Sequence, residues 1–114
     1  MPVIVVDAGP LIALFKRSDR CHVAAKSFLG RMEQSALVTN LLVIGEVAAV
    51  LSARHNDLIA AISWLLDNVE IDAAAGSDLS RCIEIVEKYS DLPADLADAS
   101  LVALCERRGT NLVA

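Results

Sequence analysis

Four carboxylates in this sequence, Asp7, Glu46, Asp95 and Asp98, are placed where an acid can do chemistry. Asp7 directly follows the apolar run Val3 to Val6. In an open parallel sheet, sites form at the carboxyl ends of strands, although an Asp there also caps turns and helices. Glu46 is the only ionisable residue between Leu41 and Leu51, flanked by Leu42, Val43, Val47, Ala49 and Val50. A helix apolar on nearly every side is expected to be largely buried. A buried lone carboxylate is costly and must be paired, neutralised or bound to a cation; a salt bridge to one of the scattered arginines is the structural alternative. Asp95 and Asp98 stand three apart and share the first turn of a helix, where acids also gain from the helix dipole and can simply be caps.

Together these residues have a common chemical reading. Mg²⁺ or Mn²⁺ takes hard oxygen ligands from a few protein carboxylates and keeps waters and substrate phosphates in its remaining positions. Carboxylates from distant segments converging on one cleft suit a phosphodiester hydrolase, because a bound divalent ion can polarise a phosphate and activate an attacking water. No His or Cys cluster competes as a ligand set. His22 and His55 are isolated and read as surface or satisfied core residues. Cys21, Cys82 and Cys105 are an odd number without short spacing, and read as small buried hydrophobes in a reducing compartment. Asp7-Ala8-Gly9 lacks the Asp-x-Asp of Asp-nucleophile phosphatases and the paired acids of receiver domains, which disfavours both.

Positioning these acids requires alternating strands and helices. Val3–Val6, Ala36–Thr39, Val69–Ile71 and a segment opening at Asn111 read as strands buried on both faces. Asp7-Ala8-Gly9-Pro10 reads as a turn, with Pro10 at the first position of a helix to about Phe15. Ser18 or Asp19 is expected to cap a helix towards Met32, Asn40 a helix from Leu41 to about Arg54, and Asp57 a helix from Leu58 to Leu66. Ser77 or Asp78 opens another, reaching about Tyr89. After Pro93 the last helix runs from Ala94 to Arg108, and Gly109 ends it. This alternation predicts one α/β domain over residues 1–114, with a short parallel sheet covered on both faces.

The chain has 114 residues, 55% of them hydrophobic, which is one core's worth of apolar material. Its longest apolar stretch is interrupted by Gly45 and Glu46 and is too short to span a bilayer. Residues 1–7 lack the basic start of a signal peptide. A soluble cytoplasmic protein is expected, with no membrane partner. The net charge of −5 runs against a nucleic-acid partner, since such proteins usually carry a basic footprint. Metal-holding carboxylates would account for part of that charge, and Lys16, Arg17, Arg20 and Arg31 could supply a local basic rim.

Residues 3–15, VIVVDAGPLIALF, and 93–104, PADLADASLVAL, closely resemble the first and third acidic motifs of PIN domains. Glu46, in an apolar helix between them, is similar to the second. The resemblance spans nearly the whole chain, and the two segments together are fairly specific. It implies a three-layer α/β/α sandwich and Mg²⁺- or Mn²⁺-dependent endoribonuclease activity of the VapC-like toxin kind. It further implies homodimerisation and a cognate antitoxin. It assigns metal-ligand and catalytic roles to Asp7, Glu46 and Asp98, with Asp95 an auxiliary metal-site acid. Two departures stand out. Ala8 occupies a position where many members carry a Ser or Thr hydroxyl. The family's fourth acidic motif, and usually a fifth strand, would follow the strand opening at Asn111, and this sequence ends at Ala114. A second reading follows: a degenerate or truncated PIN domain that binds its antitoxin or itself without cleaving RNA.

Overall fold

A computed structural model of the chain describes residues 2–16, 22–31, 36–89, 95–111 and 113–114. Within them, three strands and six helices alternate: β1 (Val3–Val5), α1 (Ala8–Phe15), α2 (His22–Arg31), β2 (Ala36–Asn40), α3 (Leu41–Leu51), α4 (His55–Asn68), β3 (Glu70–Asp72), α5 (Leu79–Lys88) and α6 (Leu96–Arg108). The strands form a parallel sheet in the order β1-β2-β3, with Val5 opposite Val38 and Asn40 opposite Asp72. On the far side of β1, Val113 makes a single parallel bridge to Val5. There Asp7 N–H donates to the Ala114 carbonyl and Ala114 N–H to that of Val5. The expected fourth strand is therefore present, among the described residues, as this one pairing beside the first acid. The whole is a three-layer α/β/α sandwich, as the alternation predicts.

The runs Val3–Val5 and Leu37–Thr39, mostly β-branched, supply strands whose inner residues are buried on both faces. Leu11, Val43, Val47, Leu51, Leu65, Leu101 and Leu104 close the main core over them. A smaller core, Cys82 and Ile85 against Ala99 and Ala103, joins α5 to α6. Burial pushes the Cys82 and Cys105 thiols up from their ordinary pKa, so both behave as packed hydrophobes. Cys21 lies outside the described residues.

Several boundaries differ from those the sequence predicts. Asp7 is already the N-cap of α1, accepting from Ala8 N–H at 2.7 Å, so no separate turn intervenes. Pro10 then occupies the third helical position, which costs nothing because that N–H has no partner within a helix anyway. Helix α3 stops at Leu51, and α4 begins at His55, with Asp57 inside its first turn and paired to Arg54. The capping residues expected for α2, Ser18 and Asp19, and the restart at Pro93 lie outside the described residues.

The largest revision concerns α3, which is not buried all round. Its core stripe is Val43, Val47 and Leu51, at a spacing of four, while Leu41 and Val50 are 67% and 47% exposed. Only one face of a helix can lie against a sheet. Gly109, by contrast, terminates α6 as expected, at φ 64°. Gly109→Ala should cost about 1 kcal/mol, since a β-carbon disfavours the left-handed region. A lower urea midpoint with unchanged slope would register it.

Candidate metal and phosphodiester site

The strand order places the acids. Asp7 leaves the end of β1, Glu46 sits one turn into α3 where that helix leaves β2, and Asp95 and Asp98 open α6, which packs against both β1 and α3. Asp95 is the N-cap of α6: its side chain accepts from Asp98 N–H at 2.9 Å, while the Asp98 carboxylate accepts from Asp95 N–H at 3.3 Å. This reciprocal capping box satisfies two otherwise unpartnered donors. Both acids are therefore helix caps as well as site candidates, and both remain exposed.

Glu46 is half-buried and lies beside Asp95. Burial, Asp95, Asp7 and Asp98 together push the Glu46 carboxyl above its ordinary range, burial most strongly. All four acids thus act within one electrostatic field, and no cation stands among the dominant influences on Glu46. The structural alternative of an arginine partner for Glu46 is not realised among the described residues. Asp7 and Asp98 also line a cleft of about 410 Å³ whose other walls include Leu101, Cys105 and Val113.

The donor set suits a hard divalent ion: carboxylate oxygens only, crowded by like charge, without a counter-charge on Glu46 among the described residues. Side-chain positions define a shared field rather than a finished coordination shell. Among the described residues, no group of three His, Cys, Asp or Glu side chains is close enough to hold a metal ion.

A second acidic group was not legible in the sequence and contrasts with the first. Asp72 and Asp78 are buried, yet Arg107 bonds both at 2.8 Å, and Arg108 reaches Asp72 and Glu70. Arg107 holds the Asp72 carboxyl well below the usual carboxylate range, with help from Ala74 N–H and Arg108. Asp78, expected to cap α5, stands at the N-cap position but gives its side chain to Arg107 instead. One acidic cluster is neutralised by arginine; the other is not.

Of the remaining candidates, His22 bonds the Ala13 carbonyl at 2.7 Å and His55 is exposed, so neither joins the acids. Lys16 ends α1 and Arg31 is exposed at the end of α2; Arg17 and Arg20 lie outside the described residues. The sequence reading also underused two buried polar residues, Asn40 and Ser100. Asn40 was legible only as a cap, and Ser100 only as part of the last motif.

An α/β/α sandwich with acids gathered at the carboxyl ends of its strands defines a class, and the sequence comparison specifies which. A family model of the PIN domain matches residues 4–114, and the chain belongs to that family. Two solved structures share the fold. One is VapC20 of Mycobacterium tuberculosis, described as a sarcin-ricin loop cleaving toxin: TM-score 0.82, 22% identity, 96% of this chain and 86% of that one covered. The other is VapBC2 of Rickettsia felis bound to a DNA fragment from their promoter: TM-score 0.70, 11% identity, 98% and 86% covered. No curated protein matches the sequence. No helix among the described residues is long and apolar enough to cross a membrane.

Proposed function

We propose that this chain is a Mg²⁺- or Mn²⁺-dependent endoribonuclease of the VapC toxin kind, working in the cytoplasm as a homodimer restrained by a cognate antitoxin. The observation that carries the proposal is that acids from three separate segments, Asp7, Glu46 and the pair Asp95 and Asp98, share one field in which no cation among the described residues pairs with Glu46. Stability alone does not explain it, because like charges gathered around a half-buried carboxylate are unfavourable. Membership of the PIN family and the likeness to a toxin described as cleaving the sarcin-ricin loop support the choice of RNA.

In this reading Asp7, Glu46 and Asp98 hold the ion, and Asp95, an auxiliary acid beside Glu46, fixes the start of the helix that carries Asp98 through their capping box. A divalent ion bound there would neutralise phosphate charge and favour ionisation of an attacking water. The residues' own contribution is to fix that charge on rigid elements, the end of a strand and two capped helices. The acidic cleft also suits a basic side chain from an antitoxin, most simply an arginine bridging two carboxylate oxygens.

The test is a Mg²⁺ and Mn²⁺ titration of purified, antitoxin-free protein against mixed RNA. Cleavage should appear with either ion and stop on chelation. A folded protein that never cleaves, with Asp98→Asn identical to the parent, would establish the binding-only reading instead.

A further inference from the structure

Between the acid-bearing segments runs a line of buried polar side chains that the proposed chemistry does not use. Thr39, Asn40 and Ser100 are 0%, 2% and 0% exposed, and their surroundings include Val6, Val38, Val43 and Leu101. Thr39 Oγ1 donates to the Val6 carbonyl at 2.9 Å. Asn40 Nδ2 donates to Ser100 Oγ at 2.9 Å, and Ser100 Oγ donates onward to the Ala97 carbonyl at 2.7 Å. Asn40 Oδ1 meanwhile accepts from Val43 N–H at 3.1 Å and so caps α3. Each end of this line stops one residue short of an acid: Val6 precedes Asp7, and Ala97 precedes Asp98. Its middle residue, Asn40, starts the helix that carries Glu46.

We infer that Thr39, Asn40 and Ser100 are positioning residues, which set the separation of the Asp7, Glu46 and Asp98 segments and thereby the metal affinity of the site. Apolar side chains at all three positions would forfeit little beyond the α3 cap, so a satisfied polar line contributes geometry more than stability. Hydrophobic packing tolerates small slides between elements. Two directional bonds of 2.9 Å between segments, with Ser100 itself anchored to α6 through Ala97, do not. The inference rests on the metal-dependent reading above.

Thr39 allows a clean separation of geometry from packing. Thr39→Val keeps the shape and loses the hydroxyl, whereas Thr39→Ser keeps the hydroxyl and loses a methyl group. Mn²⁺ binding to the RNA-free protein, followed by calorimetry, is the primary readout, with kcat and KM for RNA as the second. Thr39→Val and Ser100→Ala should each weaken Mn²⁺ binding about 10-fold, the lower end of the range for outer-shell partners of a metal site. Both should lower kcat with little change in KM, and Thr39→Ser should stay within about twofold of the parent. If Ser100→Ala does not fold, the two Thr39 variants still decide. A parent that binds Mn²⁺ with Thr39→Val binding equally well, or Thr39→Ser falling as far as Thr39→Val, overturns the inference alone. A folded parent that binds no Mn²⁺ overturns the metal reading and this inference with it.

Discussion

Glu46→Gln should abolish RNA cleavage, by more than the roughly 10–100-fold typical of losing an outer-shell partner of a metal site, and leave the domain folded. The amide matches the carboxylate in shape, and its N–H₂ can donate to the neighbouring Asp95 carboxylate. What disappears is the negative oxygen that the proposed metal site would take from Glu46. The stability outcome follows from the direction of the Glu46 shift. Its folded carboxyl titrates above the ordinary value, so the native state holds this proton more tightly than the unfolded chain does. Stability contributed by the group is full below its unfolded pKa and declines as pH rises through the folded one. Above the ordinary carboxylate range Glu46 therefore burdens the fold, and Gln relieves it. Thermal unfolding at pH 7 without metal should give a midpoint equal to or above the parent's. An inactive protein with a raised midpoint would separate ligand from structural partner, whereas a lowered midpoint or loss of soluble protein would mean that Glu46 is an ion-pair partner. Asp98→Ala is a poorer probe, because Asp98 also closes the capping box of α6 and losing a cap costs about 1 kcal/mol.

The sequence made the order of elements legible because local chemistry determines it. Val3–Val5 are β-branched, with Ile4 and Val5 buried; Asn40 caps α3 with its own side chain, and Gly109 adopts the left-handed turn that ends α6. The acids of the site were legible for the same reason, each lying at an element's end or interrupting an apolar helix. Whatever depended on contacts across the chain was not. The composition of α3 is apolar throughout, yet only the neighbours it meets decide that Val43 is buried and Leu41 exposed. Asp78 looks like a helix cap until Arg107, 29 residues away, takes both of its oxygens. Asn40 and Ser100 are 60 residues apart, and no spacing rule joins them. Capping, turn and strand signals act over a few residues; polar pairs between elements follow from the packed fold.

Arg107→Met should destabilise the domain by about 2–3 kcal/mol at pH 7, somewhat less than the 3–5 kcal/mol for breaking a fully buried pair. The discount reflects Arg107, whose side chain is 37% exposed and partly screened by solvent. Asp72 and Asp78 gain no such relief, being 5% and 9% exposed; without the guanidinium they keep much of their desolvation cost. Methionine retains the apolar stem of the side chain, so lost packing contributes little. The pH dependence identifies the cause. Asp72 titrates well below its ordinary range in the folded state. Its contribution is therefore complete above the unfolded pKa of about 3.9 and is lost as pH falls through the lower folded value, since only the unfolded chain takes up the proton in that interval. Urea unfolding from pH 7 down to about pH 3 should show parent and variant converging below about pH 4. A gap that stays constant over that interval would assign the effect to packing around the stem and not to the Arg107–Asp72 charge pair.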